Sequence, residues 1–175
     1  RAKGAHSVGT KGELRSAFTF SRVGRDEILN GGDLTKYSQR LWGLGVESEW
    51  RLGQRDATSF SLGVAIDGAD TPKSGDKPPV SELNDFGFRA GVSSLVKDGL
   101  VLHANLSRRS RFPSLRELYS GALGRFIPNP NLRPETLLVS EAGLTFGQEE
   151  SSIQAVGYYQ YLRNGIVRSS VKGID

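Results

Sequence analysis

Apolar and polar side chains alternate with a period of two through most of this chain, and a period of two predicts strands. One stretch sets Leu14, Phe18 and Phe20 against Glu13, Arg15, Ala17 and Thr19, and the next sets Trp42, Leu44, Val46 and Trp50 against Gly43, Gly45, Glu47 and Glu49. Three more follow: Thr58, Phe60, Leu62, Val64 and Ile66; Phe86, Phe88, Ala90 and Val92; and Leu100, Leu102, Ala104 and Leu106 opposite His103, Asn105 and Ser107. The last two stretches are 136–146, with Leu138, Ala142, Leu144 and Phe146 facing away from Glu141 and Gly143, and 152–162, with Ile153, Ala155, Tyr159 and Tyr161. The facing of 152–162 is open, because Val156 and Tyr158 fall on the other parity. The pattern thus predicts about seven strands, each close to the roughly 9 to 11 residues that a tilted membrane-crossing strand needs.

Three features favour a membrane wall over a soluble sheet. The polar face is rich in glycine where a soluble sandwich would carry long charged side chains, so something packs close against it. Trp42 and Trp50 bracket one apolar band, as amphipathic indoles do at the boundary between acyl chains and headgroups. The predicted connections also alternate, long over 22–36, short at 53–55, long over 67–82, short at 97–99, long over 110–134 and short at 147–150. Outer-membrane barrels are built this way, with tight turns at one rim and extended loops at the other.

Composition adds limits. No run approaches the roughly 18 to 20 apolar residues of a spanning helix, so any membrane role falls to strands. The chain has no cysteine, which removes disulfides and thiolate metal sites. Its 23 basic and 19 acidic residues leave a net charge of +4 that is spread along the chain and points to no particular partner. The one basic concentration, Arg108, Arg109, Arg111, Arg116 and Arg125, is a candidate for contact with an anionic ligand or with lipopolysaccharide phosphates, against the plainer reading of a solvated, partly self-paired loop.

The segment from Asn105 to Glu141 carries a motif. Ser107, Arg108, Arg111, Pro113, Ser114, Glu117, Leu118 and Tyr119 lead into Asn129, Pro130, Leu132, Arg133, Pro134 and Glu135, and then into Glu141 and Gly143. In these residues the chain resembles the TonB-dependent outer-membrane receptors, over roughly a fifth of its length. It departs from their pattern at Arg109, where they usually have glycine, and at Ser110, whose aromatic has moved to Phe112. A shift of two keeps the same parity within a strand.

The resemblance implies a bacterial outer-membrane protein, monomeric and not an enzyme, with an all-β fold that closes as an antiparallel barrel of about 22 strands. An N-terminal plug carrying a TonB-recognised segment would close its lumen. Residues 1–175 are then expected to be part of the barrel domain, with plug and remaining strands lying elsewhere, since an odd strand count cannot close by itself. The implied function is TonB-dependent uptake of a scarce nutrient such as a ferric siderophore, haem or cobalamin. Expected partners are outer-membrane lipid and lipopolysaccharide, TonB through the plug, and a small-molecule or metal-chelate ligand. Glu47, Glu49, Arg89, Asn105 and Glu141 are expected to face the lumen.

Catalytic signals are scarce. His6 and His103 are the only histidines, with no cysteine and no nearby second histidine, so no metal site and no cofactor are expected. His103 in a hydrolytic triad lacks a nucleophile elbow to support it. Nucleic acid is a poor partner because the aromatics are not interleaved with basic residues. Two alternatives stay open: a small complete outer-membrane barrel, structural or hydrolytic, and a soluble all-β binding module.

Overall fold

A computed structural model describes residues 1–28, 32–53, 57–119, 129–148 and 151–167. Among them, eight strands form one antiparallel sheet in chain order: β1 Ala2–Val8, β2 Gly12–Glu27, β3 Thr35–Leu52, β4 Thr58–Ser74, β5 Leu83–Lys97, β6 Leu100–Arg111, β7 Glu135–Gln148 and β8 Ser151–Arg163. One short helix, α1 Leu115–Tyr119, follows β6. Each strand pairs with the next and nothing pairs β8 to β1, so the sheet is open at both edges.

The count of about seven is corrected to eight. β1 escapes the periodicity because Ala2–Val8 holds a single large apolar residue, Val8, and pairs on one side only. An even count also withdraws the argument that parity forbids closure; the two unpaired edges now carry that point. The expected loops 22–36 and 67–82 shrink to 28–34 and 75–82, because β2, β3 and β4 run on as charged, hydrogen-bonded ribbons. Alternation of apolar residues cannot report a strand that has left the apolar layer. The order of connections survives, short at 9–11, 53–57, 98–99 and 149–150, long at 28–34, 75–82 and 112–134. At the 98–99 turn Gly99 takes φ 74°, a left-handed conformation open to glycine.

Register settles the faces. Phe18 lies opposite Leu44, Leu44 opposite Ile66, and Ile66 opposite Phe86, making one transverse apolar row across four strands. Leu102 opposite Leu144, and Leu144 opposite Ala155, continue the same face to β8, which assigns Ile153, Tyr159 and Tyr161 to it and Val156 and Tyr158 to the other. This face is bare: Leu62 and Val64 are each 60% exposed and Phe86 55%. The buried hydrophobic residues are instead Tyr37, Ala69, Leu115, Leu118 and Tyr119, gathered at the long-loop end. A soluble sheet would cover so large an apolar face with a second layer. Nothing among the described residues covers it.

The two tryptophans lie across glycines of neighbouring strands. Trp50 is opposite Gly12, where a Cβ would come within 2.7 Å of the indole, and Trp42 is opposite Gly68, where a Cβ would overlap the ring. Each glycine is therefore the floor on which an indole rests flat against the sheet. Along β3 the two rings are eight residues apart, on the order of 27 Å, and the even-numbered face turns charged just beyond Trp42, where Arg22 faces Arg40 and Arg40 faces Asp70. Gly68→Ala is expected to lift the Trp42 ring off the sheet. Trp42 emission should shift and the folded barrel should lose about 1 to 3 kcal/mol in a urea titration, whereas an alanine at exposed Gly24, whose Cβ would meet only the Tyr37 carbonyl at an ordinary 3.9 Å, should change neither.

Candidate functional site

The odd-numbered face is concave and polar. Across β2 to β5 it carries a row of minimal side chains, Ala17 opposite Gly45, Gly45 opposite Ala65, and Ala65 opposite Gly87. The row floors a hollow of about 670 Å³ that also touches Lys3, Arg15, Glu47, Asp67, Arg89 and Arg109. Glu47 and Arg89 pair across the hollow at 3.3 Å and Arg15 lies 3.5 Å from Glu49. Lower on the wall, Asn105 donates to Glu141 at 3.4 Å and His103 Nε2 lies 3.9 Å from the same carboxylate. The ring of His103 fills the space above Gly143. Glu47, Glu49, Arg89, Asn105 and Glu141 therefore share the concave face, at fixed positions along one wall. Ser93 lies directly opposite His103 in register, with no hydrogen bond between the two side chains, and no cluster of metal ligands occurs among the described residues.

Above the wall, the motif loop folds inward. Pro113 ends β6 pairing, and Ser114 caps α1: its backbone N–H and its hydroxyl reach Glu117 Oε2 at 2.8 and 2.9 Å, while the Glu117 N–H returns to the Ser114 hydroxyl at 3.4 Å. This reciprocal capping explains why serine and glutamate stand three apart. Glu117 then receives both bonds of a forked contact from Arg111 Nη1, at 3.1 and 3.0 Å, and Arg111 Nε donates to Glu135 at the start of β7. One guanidinium thus joins the end of β6, the helix and the beginning of β7. Reaching two separate carboxylates through two nitrogens of one planar group, Nη1 and Nε, is what arginine supplies and the single ammonium of lysine does not.

The apolar side of α1 packs on the ends of β3 and β4. Tyr119 stacks on Tyr37 with ring centroids 5.7 Å apart, and Leu115 and Leu118 complete the cluster with Val80 and Leu132 at its margin. The Tyr119 hydroxyl meets the Thr71 hydroxyl at 2.8 Å, accepts the Val80 N–H at 2.9 Å and donates to the Pro78 carbonyl at 3.3 Å. Gln39 donates to the Pro113 carbonyl at 2.8 Å. Gln39 and Tyr37 lie on the odd-numbered face of β3, so the loop leans over the concave side and narrows its mouth.

The basic concentration does not form one patch. Arg108, in register with Phe88 and Leu138, stands 4.0 Å above the Phe86 ring and 2.8 Å from Asp85. Arg109 lines the hollow and Arg111 is the clamp. Arg116 is exposed on α1 and engaged in an interaction of its own, and Arg125 lies outside the described residues. Phe112 falls just past the last residue of β6 and is half-buried. Of the motif's second part, Asn129 orders a turn by accepting the Asn131 N–H at 3.1 Å, and Pro134 offers its carbonyl to Asn164 at 3.4 Å. Pro130 lies in that turn. Residues that the sequence did not single out are Tyr37, Gln39, Thr71 and Asp85.

An open antiparallel wall with one apolar and one polar concave face, long loops at one rim and tight turns at the other, is the architecture of a membrane β-barrel segment. Residues 4–174 match the family described as TonB dependent receptor-like, beta-barrel. The chain belongs to that family. Among solved structures, the FrpB iron transporter from Neisseria meningitidis (F3-3 variant) superposes with a TM-score of 0.75 at 12% identity, over 97% of this chain and 28% of its own. The copper transporter OprC superposes with a TM-score of 0.68 at 16% identity, over 91% of this chain and 29% of its own. At these identities the likeness concerns the fold, and the chain spans less than a third of either transporter. No curated protein sequence matches it.

Two outcomes follow from the loop geometry. Burial pushes the Glu117 carboxyl up, but the Arg111 bonds and the Ser114 N–H and hydroxyl outweigh it and hold the group below its ordinary value of 4.5. A depressed carboxylate contributes stability above its unfolded value that is lost as pH falls through the folded one. Limited proteolysis at 112–119 should accordingly be slow at pH 7 and accelerate once the pH drops below about 4.5, and Arg111→Gln should make cleavage there fast at every pH. Tyr119→Phe removes a hydroxyl shared by three partners. The Val80 amide keeps its second acceptor, the Thr71 hydroxyl at 2.8 Å, so its hydrogen exchange should quicken by only about threefold, in line with about 0.5 to 1 kcal/mol for one of two shared bonds, with β7 and β8 unaffected.

Proposed function

We propose that this chain forms part of the wall of an outer-membrane receptor that imports a scarce nutrient by TonB-dependent active transport. Its membership of the receptor family supports this reading, together with a sheet whose two faces suit two different media. In the complete protein the wall continues past β1 and β8 to about 22 strands, and a plug domain fills the concave side and carries the segment that TonB engages. Residues 1–175 contribute the barrel strands only.

The ligand class is a small molecule or metal chelate such as a ferric siderophore, haem or cobalamin. It meets the long loops first, then passes the concave wall, where Arg109 near the mouth and the Glu47 and Arg89 pair below it supply polar contacts. The motif loop, held by Arg111, sets the width of the mouth. There is no reaction to catalyse, since energy comes from the inner-membrane proton gradient through TonB. A complete small barrel is disfavoured by the two unpaired edges, and a soluble module by the uncovered apolar face.

The test is uptake by cells expressing the full-length receptor. Growth on limiting iron supplied as a panel of chelates should depend on the receptor and vanish in cells lacking TonB or treated with a protonophore. Accumulation that persists without TonB would mark a passive channel and end this reading. Arg89→Glu, which sets two acids side by side on the wall, should slow uptake several-fold while leaving outer-membrane assembly intact.

A further inference from the structure

We propose that Arg22, Arg40 and Lys73, gathered around Ser38, bind a phosphate of an outer-leaflet glycolipid of the lipid A type. The proposal rests on the membrane reading above, which puts the long loops outside. It starts from a bulge. Between Ser38 opposite Lys73 and Arg40 opposite Asp70, the single residue Gln39 faces two residues of β4, Thr71 and Pro72. An extra residue shifts parity by one, and bulges re-aim side chains in this way. Thr71 still points to the concave side, where it meets Tyr119. Lys73, which strict alternation would also send inward, is instead paired beside Ser38 on the outward face.

The resulting constellation is basic and sits at one height. Arg22 and Arg40 are directly opposite each other one pleat beyond the Phe20 and Trp42 row, and Ser38 and Lys73 follow one pleat further. Like charges directly opposite on a ladder repel. Arg40 is offset by Asp70, which takes its Nε at 2.9 Å and its Nη2 as well. Among the described residues Arg22 has a neutral partner only, donating to the Ser38 hydroxyl at 3.1 Å, and Lys73 is exposed. Ser38 is itself buried, at 3% exposure, and holds the Arg22 side chain in place, so what faces outward next to the aromatic boundary of the apolar face is a guanidinium and an exposed ammonium. That height is where lipid phosphates lie, and charge-assisted bonds to phosphate oxygens are what such a set provides. The acyl chains of the same lipid would continue down over Phe20, Leu44 and Ile66, which are exposed directly below. Continuity between phosphate contacts and an apolar wall fits a lipid and gives a free phosphate ion no advantage.

The test uses the purified full-length receptor in detergent micelles, titrated with bis-phosphorylated lipid A and read by native mass spectrometry. The Arg22→Gln/Lys73→Gln double variant should retain lipid A at least fivefold less than wild type, Lys73→Arg should retain it normally, and Lys97→Gln at the short-turn end should change nothing. Phosphate-free lipid A should bind wild type no better than the double variant. Equal retention by the double variant, equal binding of phosphate-free lipid A, or displacement by millimolar inorganic phosphate would each overturn the proposal. Failure of the underlying membrane reading looks different: the receptor would then not fractionate with the outer membrane at all.

Discussion

A peptide group that enters hydrocarbon has no water to bond, so every N–H and C=O in the layer must find its partner along the sheet. Seven consecutive antiparallel ladders meet that demand, and their register also forces the division of faces, since a slip of one residue would turn Phe18, Leu44, Ile66 and Phe86 inward together. The concave hollow is a by-product of the same rule. Once large apolar residues are committed to one parity, the other parity is free to hold glycine, alanine and paired charges, and those set the space available inside.

At the long-loop rim the constraint relaxes and side chains take over. Ribbons that leave the apolar layer keep their backbone pairing but change composition, and the connection after β6 is held by a helix cap, a tyrosine stack and one arginine. Water is present there, so each bond is worth less than its counterpart in lipid. The loop accordingly relies on several modest contacts made by distant parts of the chain.

How much of this was legible in the sequence depends on distance along the chain. Faces of the membrane strands follow from alternation alone, and the inward placement of Glu47, Arg89, Asn105 and Glu141 follows from the same parity. The eighth strand was missed because Ala2–Val8 carries almost no apolar signal. Ser114 and Glu117 had the local spacing of a capped helix, a signal that would have located α1. By contrast, Tyr119 to Thr71 spans 48 positions and Gln39 to Pro113 spans 74, and no local pattern announces such partners. The β4 bulge is equally silent, with Pro72 as its only outward mark, because only Lys73 and Ser74 of the strand lie beyond it, too few to display a change of parity.

The ladder between β5 and β6 stops at Phe88 and Arg108, although β5 goes on pairing with β4 as far as Leu83. From there upward the two strands are stitched by side chains alone: Arg108 to Asp85 and to the Phe86 carbonyl, and the Ser110 hydroxyl to Asp85 at 2.6 Å. Backbone pairing is indifferent to dissolved ions, whereas an ion pair weakens as they accumulate. This is a seam in an otherwise continuous fabric. Mechanical load on the rim would open the wall there first, and brine would make the tear easier.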